Sequence, residues 1–452
     1  MFISKEVLTI AEDSHAGAVA SALAFIHDTT YKGGKQGLSN MFRLMELLGE
    51  PHKKLRCLHV TGTNGKGSVC AFLQGALRAA GYRTGLYTSP YLERFNERIR
   101  IDGAPISDGS LVAYTNRVKP AVEKLRADGV YPTEFEITCA IGFLYLAESD
   151  IDYAVIEVGL GGRYDSTNVV TPLATAITSV GLDHTKTLGD TLAKIAYEKA
   201  GIAKRGVPMI LYPDAADDVV RVVDEVCGNI GSPLIPAMSD TQRTSRFGLY
   251  GNHQIRNAAV AREMLLHSGI PITQAQTDEG FRRTRWPGRL ETVPFEGATF
   301  LLDGAHNPHG AAALADALAA QYGRNKLIAI TGMLRDKDAA GVARHLSPLF
   351  RKVFTVAPDS ERALTANELA NIYINAGTEA APCGSLSDAV HQSAVNRDVR
   401  PASGRPTIAP TGIRPNSSHL YTTALPIIIT GSLYLVGEAR TYLHAPECTL
   451  YE

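Results

Sequence analysis

The chain has no surplus of either charge: 45 Lys and Arg stand against 46 Asp and Glu, for a formal charge of -1. It therefore lacks the global positive field that holds a polyanion, and nucleic acid is not expected as its main partner. It also lacks any apolar run near the ~20 residues a membrane span requires. Its opening stretch places Lys5, Glu6, Glu12 and Asp13 where a signal peptide needs an unbroken apolar core, so a soluble cytoplasmic protein is expected. Cysteine is sparse: Cys57, Cys70, Cys139, Cys227, Cys383 and Cys448 lie far apart with no CxxC pair. That argues against a zinc knuckle and a disulfide framework and for reduced, structural thiols. No solenoid repeat is present. What remains is ordinary for a globular protein, 45% hydrophobic and 20% charged residues, and 452 residues suit two or three domains rather than one.

Short β-branched or apolar runs alternate with helix-length amphipathic stretches, the pattern of a mainly parallel sheet covered by helices, so the expected class is α/β. The first part reads as strands Leu55 to Val60, Thr84 to Thr88, Tyr153 to Val158 and Thr175 to Ser179. Val69, Phe72, Leu73, Ala76 and Leu77 repeat at helical spacing and give one apolar face to a sheet. Trp286-Pro287-Gly288-Arg289 is a breaker before a fresh βα series and places a domain boundary there. Residues 1–288 are thus read as one domain and 289–452 as a smaller Rossmann-like one. The second has strands at Thr299 to Leu302, Lys326 to Thr331, Val353 to Val356 and Ile427 to Thr430, with helices around Gly310 to Gln321 and Lys337 to Leu349. The proline-rich stretch 397–425 has little periodicity and reads as a long surface loop or disordered insertion.

The strongest chemical signal is Val60-Thr61-Gly62-Thr63-Asn64-Gly65-Lys66-Gly67-Ser68, between an expected strand and an expected helix. Glycines let backbone N–H groups turn onto phosphate oxygens, the helix start adds a positive dipole end, and Lys66 supplies a mobile charge. The stretch departs from GxxxxGK[ST], with Val60 at the first Gly position and Gly67 between Lys66 and Ser68. A Gly-rich turn without ligand is the bland alternative, and strand, lysine and helix together favour a nucleotide.

A magnesium-bound nucleotide needs hard oxygen ligands beside this loop. Glu157 ends the strand Ala154-Val155-Ile156 at the carboxyl edge, where open α/β sheets bind ligands; a surface carboxylate is the competing reading. Ser89, in Thr88-Ser89-Pro90, offers a hydroxyl or simply makes a turn. His184 follows another strand, where a hydrogen-bonded structural histidine is the commoner outcome. The Gly-Leu-Gly-Gly at 159–162 does not fit GxGxxG followed by a helix, which removes the dinucleotide reading. Lys199 sits in the last turn of a helix starting near Asp190, and its spacing alone says only that it favours the helix C-terminal dipole before Gly201.

Taken in order, TGTNGKGSV (61–69), YTSPYLERFNERIRIDG (87–103), EVGLGGRYDSTNVV (157–170), SVGLDHTKTLG (179–189), EKAGIAK (198–204), GNHQIRNA (251–258), WPGRLE (286–291), LDGAHNPHG (302–310) and ITGSLYLVGE (429–438) resemble the bacterial folylpolyglutamate synthases of the Mur ligase superfamily. The resemblance is dense over 33–205, good over 250–340, and thin over 206–249 and 341–425. It implies a P-loop ATP-binding domain of the Mur-ligase central type followed by a glutamate ligase domain. The implied reaction is ATP-dependent addition of L-glutamate to a reduced folate through an acyl phosphate, with dihydropteroate as a further candidate acceptor. Gly62, Thr63, Asn64, Gly65, Lys66, Gly67, Ser68, Asn257, Arg289 and Asp303 would contact ATP. Ser89 and Glu157 would bind one magnesium, and His184 with a carbamylated Lys199 a second. His306 and Ser432 would lie around the incoming glutamate. Lys66, Lys199 and His306 are the catalytic candidates, and domain closure would exclude water from the acyl phosphate. A monomer is expected. A Mur-type ligase for another carboxylate, and an ATP-binding protein whose ligase activity has lapsed, remain the alternatives.

Overall fold

A computed structural model describes residues 15–28, 37–238, 247–396 and 425–444. Its contacts separate into two compact units, Met1–Ser239 with Arg256–Phe281, and Asp240–Ile255 with Arg282–Glu452. Among the described residues no helix is long and apolar enough to cross a membrane. The proline-rich stretch lies outside them except for Leu425, as does Cys448; the other five cysteines are buried free thiols.

The first unit is built on an eight-stranded sheet. Its strands are β1 (Cys57–Thr61), β2 (Thr84–Tyr87), β3 (Ile99–Ile101), β4 (Ala104–Pro105), β5 (Tyr153–Glu157), β6 (Ala174–Ile177), β7 (Met209–Leu211) and β8 (Leu234–Pro236), in the order β4-β3-β2-β5-β1-β6-β7-β8. All pairs are parallel except β2–β3 and β3–β4. Strands β1, β2, β5 and β6 are buried along their whole length, as parallel strands covered on both faces must be. The helix Lys66–Ala79 buries Val69, Phe72, Leu73, Ala76 and Leu77 completely, and each large apolar side chain so removed from water contributes about 1.5–3 kcal/mol. Two helices that the sequence pattern did not single out, Asp108–Ala127 and Glu134–Ala147, complete the main apolar cluster with Leu111, Val118, Ile137 and Phe143.

The second unit carries β9 (Glu291–Phe295), β10 (Ala298–Leu302), β11 (Leu327–Thr331), β12 (Phe350–Thr355), β13 (Glu379–Pro382) and β14 (Ile427–Thr430), ordered β13-β12-β11-β14-β10-β9. Only the edge pair β9–β10 is antiparallel. The last strand in sequence therefore inserts between β10 and β11 and brings the ends of three strands side by side. The helix Pro308–Tyr322 starts on an Asn307 cap whose Oδ1 accepts the Gly310 N–H at 2.8 Å, with Pro308 at its first turn.

Candidate active site

The loop after β1 is shaped by close approach. A Cβ on Gly62 would sit 1.7 Å from Thr178 Oγ1, and one on Gly65 would sit 2.5 Å from Asn257 Oδ1, where Gly65 also holds a left-handed φ of 89°. Glycine is required at both places. Thr63 N donates to Ser179 O at 2.7 Å, and Asn64 O accepts from Thr178 Oγ1 at 2.7 Å and from Ser179 Oγ at 3.1 Å. The segment after β6 thus braces the loop from outside, a role that nothing in Thr178 or Ser179 announced in the sequence. Lys66 opens the following helix, and its Nζ lies 3.1 Å from Gly62 O and 3.4 Å from Thr63 O, folded over the loop. Loop amides, helix start and ammonium together form an anion cradle.

Glu157 is only 5% exposed, so the reading as a surface carboxylate fails. Its Oε2 accepts the Ser89 N–H at 3.2 Å, which puts the ends of β2 and β5 in contact. Beyond it the 159–162 turn is held by buried Asp165. One Asp165 oxygen accepts from Leu160 N at 2.9 Å, the other from Thr167 N at 3.0 Å.

Lys199 is 2% exposed in the helix Leu192–Ala200, which starts on a Thr191 cap. Spacing alone would make it a partner of the helix C-terminal dipole, but the side chain is buried, and burial pushes its amine well below the ordinary lysine range. The Lys66 ammonium pushes the same way, against the Asp183 and Asp165 carboxylates. Gly201 closes this helix in a right-handed conformation, with a φ of -61°. The reason for glycine is space: a Cβ there would meet Arg163 Cβ at 2.4 Å. Arg163 N donates to Glu198 O at 2.8 Å, and Asn168 Nδ2 bridges Arg163 O and Gly201 O at 3.0 Å each.

His184 adopts a left-handed φ of 50°, with its backbone N–H on Asp183 Oδ1 at 2.8 Å and its side chain 45% exposed. Among the described residues no group of three or more His, Cys, Asp and Glu converges as a metal cage. Glu157 with the neighbouring Ser89 still suits magnesium, which commonly takes one or two carboxylates and fills its octahedron with water and phosphate oxygens.

In the second unit Asp303, at the end of β10, is 7% exposed. Its oxygens accept Leu290 N at 3.1 Å and Ala305 N at 3.0 Å. Burial raises its pKa while the Arg289 guanidinium lowers it. Arg289 Nη1 donates to Gly288 O at 2.9 Å. His306 Nδ1 lies 2.8 Å from Gly304 O, so Nδ1 carries the proton. Gly431 N, beside Ser432, donates to Ala305 O at 3.0 Å, and buried Ser432 accepts Tyr434 N at 3.1 Å. Asp303, His306 and Ser432 thus belong to one sheet edge, with Arg289 beside them.

The chain carries an anion cradle at a central strand of a mainly parallel sheet in the first of two α/β units, and it matches the Mur ligases by family model. The family model of the Mur ligase middle domain matches residues 60–218, and that of the Mur ligase, glutamate ligase domain matches 288–402. The chain is 38% identical over 379 residues to the dihydrofolate synthase/folylpolyglutamate synthase of Bacillus subtilis (strain 168), covering 78% of this chain and 88% of that protein. It therefore belongs to the folylpolyglutamate synthase/dihydrofolate synthase family. Its fold is similar to Mycobacterium tuberculosis folylpolyglutamate synthase complexed with ADP, at a TM-score of 0.83 and 29% identity over 95% of this chain and 99% of that one. It is also similar to a bifunctional folylpolyglutamate synthase/dihydrofolate synthase with Mn, AMPPNP and L-glutamate bound, at a TM-score of 0.77 and 28% identity over 94% and 98% of the two chains.

Proposed function

We propose that this chain is an ATP-dependent ligase that adds L-glutamate to a reduced folate, releasing ADP and phosphate, and that it also accepts dihydropteroate. The observation that carries the reading is the cluster around the first unit's sheet edge: Lys66 folded over a glycine cradle, the buried Glu157 carboxylate beside Ser89, and Lys199 in the field of Lys66. The family's names supply the substrates.

An amide cannot form directly from a carboxylate, because oxide is too poor a leaving group. The γ-phosphoryl group passes to a carboxylate oxygen of the folate, the amine of glutamate attacks the resulting acyl phosphate, and phosphate departs. Little covalent work falls to the protein, so positioning and charge stabilisation carry the rate. Gly62 to Ser68 hold the phosphates through loop N–H groups and the Lys66 ammonium, with Asn257 against the loop at Gly65. Glu157 and Ser89 would hold a first magnesium ion, which when bound would supply positive charge beside the phosphates. His184 and Lys199 would serve a second. The unprotonated amine is the form that adds CO₂, losing a proton to give a carbamate; burial lowers the pKa of Lys199 and so favours that form, which supports its carbamylation. Residues 289–452 form the glutamate ligase domain: Arg289 and Asp303 serve the nucleotide, His306 and Ser432 the incoming glutamate. The enzyme acts as a cytoplasmic monomer.

The test is an omission series with Mg·ATP, a reduced folate and L-glutamate, plus an arm with dihydropteroate in place of the folate. ADP should accumulate only when nucleotide, pterin acceptor and glutamate are all present. Release that ignores both acceptor and glutamate would refute the reading, and an inert dihydropteroate arm would remove the second activity.

A further inference from the structure

One buried group has no part in the mechanism above. His59 lies in the middle of β1, three residues before Gly62, and is fully buried. Its Nε2 is 2.8 Å from Thr167 Oγ1, and Thr167 Oγ1 in turn donates to Asp165 Oδ1 at 2.5 Å. The direction of this chain is fixed. Backbone N–H groups of Leu160 and Thr167 already point at the two Asp165 oxygens, which makes Asp165 the acceptor. The Thr167 proton therefore goes to Asp165, and the Thr167 oxygen must accept from His59. Burial pushes His59 down to about 3, so the ring is neutral and carries its single proton on Nε2. Its Nδ1 is left buried with no partner among the described residues. A buried nitrogen left unpaired costs stability, so an apolar side chain would suit this strand position better unless the Nε2 bond does something in return.

What the bond reaches is the turn between Glu157 and the Lys199 helix. Thr61 Oγ1 makes a second tie from β1 to that turn, at 2.5 Å from Gly161 O. Gly162 presses on the helix end so closely that a Cβ would come within 2.7 Å of Lys199 O. We propose that His59 and Thr167 are positioning residues: the chain His59 Nε2–H to Thr167 Oγ1–H to Asp165 locks the 159–165 turn to the phosphate strand. It thereby sets Glu157 and Lys199 in register with Lys66. The proposal rests on the ligase reading for its kinetic consequence but not for its structural one.

The pair Thr167→Val and Thr167→Ser separates hydroxyl from volume, with His59→Leu as a second break in the chain. Losing one buried hydrogen bond should speed amide exchange at Leu160 and Thr167 about tenfold in T167V and H59L, with T167S close to the parent. In steady state, kcat should fall about tenfold in T167V and H59L while affinity for ADP stays within about twofold, because the cradle is braced from the Thr178 side; T167S should restore kcat. Amide exchange unchanged in T167V would overturn the proposal, as would T167S as impaired as T167V, or kcat and ADP affinity falling together. A parent enzyme with no folate-dependent turnover would sink the ligase reading alone, and amide exchange would still decide the lock.

Discussion

The two sheets use the same layout to opposite electrostatic ends. Around the first sheet, Glu157, Asp165, Lys199 and His59 are all buried; Glu157, Asp165 and His59 are tied into hydrogen bonds, and burial pushes the Lys199 amine well below the ordinary lysine range. Around the second, Asp303 is the one buried carboxylate among the described residues, and it gathers Leu290 N and Ala305 N and thereby orders the residues next to it. The first site is preorganised by mutually dependent charges, the second by a single anchor. A substitution in the first should therefore act on the chemistry, and one in the second on the geometry of neighbours.

The largest expected effect is Lys66→Ala. Removing a donor aimed at developing phosphoryl charge should lower kcat by at least ~10²-fold, read from ADP release at saturating substrates; a value near the parent's would remove Lys66 from the chemistry. Asp303→Asn should cost less. It keeps shape but replaces a carboxylate acceptor of two N–H groups, so turnover should drop about tenfold, together with a raised KM for ATP or glutamate. A loss as large as that of K66A would erase the contrast between the two sites.

A smaller effect should appear in stability against pH. Burial first and the Lys204 ammonium second push His59 from the ordinary imidazole value of about 6.5 down to about 3. Unfolding then takes up a proton between those values, so the contribution is intact above pH ~6.5 and is lost as pH falls toward 3, at about 1.4 kcal/mol per pH unit. His59→Gln keeps a donor and cannot titrate, so denaturation midpoints from pH 7 to pH 4 should fall less steeply in the variant. Equal slopes would contradict a neutral, buried His59.

Much of this was readable from residues, and the failures are physical. Strands such as Ile427–Thr430 are legible because three consecutive isoleucines followed by a β-branched threonine suit a fully buried strand. Met209–Leu211 and Leu234–Pro236 are three residues long, too short to show a period, and Arg351 and Lys352 hid the start of β12. The phosphate loop and the strand-end place of Glu157 can be read from the residues because strand-end chemistry is local, whereas Asp303 enters only through the family resemblance. The burial of Lys199 is not legible, since a lysine in a last helical turn looks the same whether it faces water or a packed turn. The turn packed on that helix end, where Gly162 lies against Lys199 O, comes from 37 positions away. His59 and Thr167 are 108 residues apart, and His59 reads as one more strand residue until Thr167 is placed against it.

The central claim is that a carboxylate of the acceptor is activated by phosphorylation before glutamate attacks. Oxygen tracing tests it most directly. A reduced folate labelled with ¹⁸O in its side-chain carboxylates, turned over with Mg·ATP and L-glutamate, should deliver one labelled oxygen to each phosphate released, seen by mass spectrometry or by the isotope shift of the phosphorus signal. Phosphate free of label, with the glutamylated product still formed, would contradict the account.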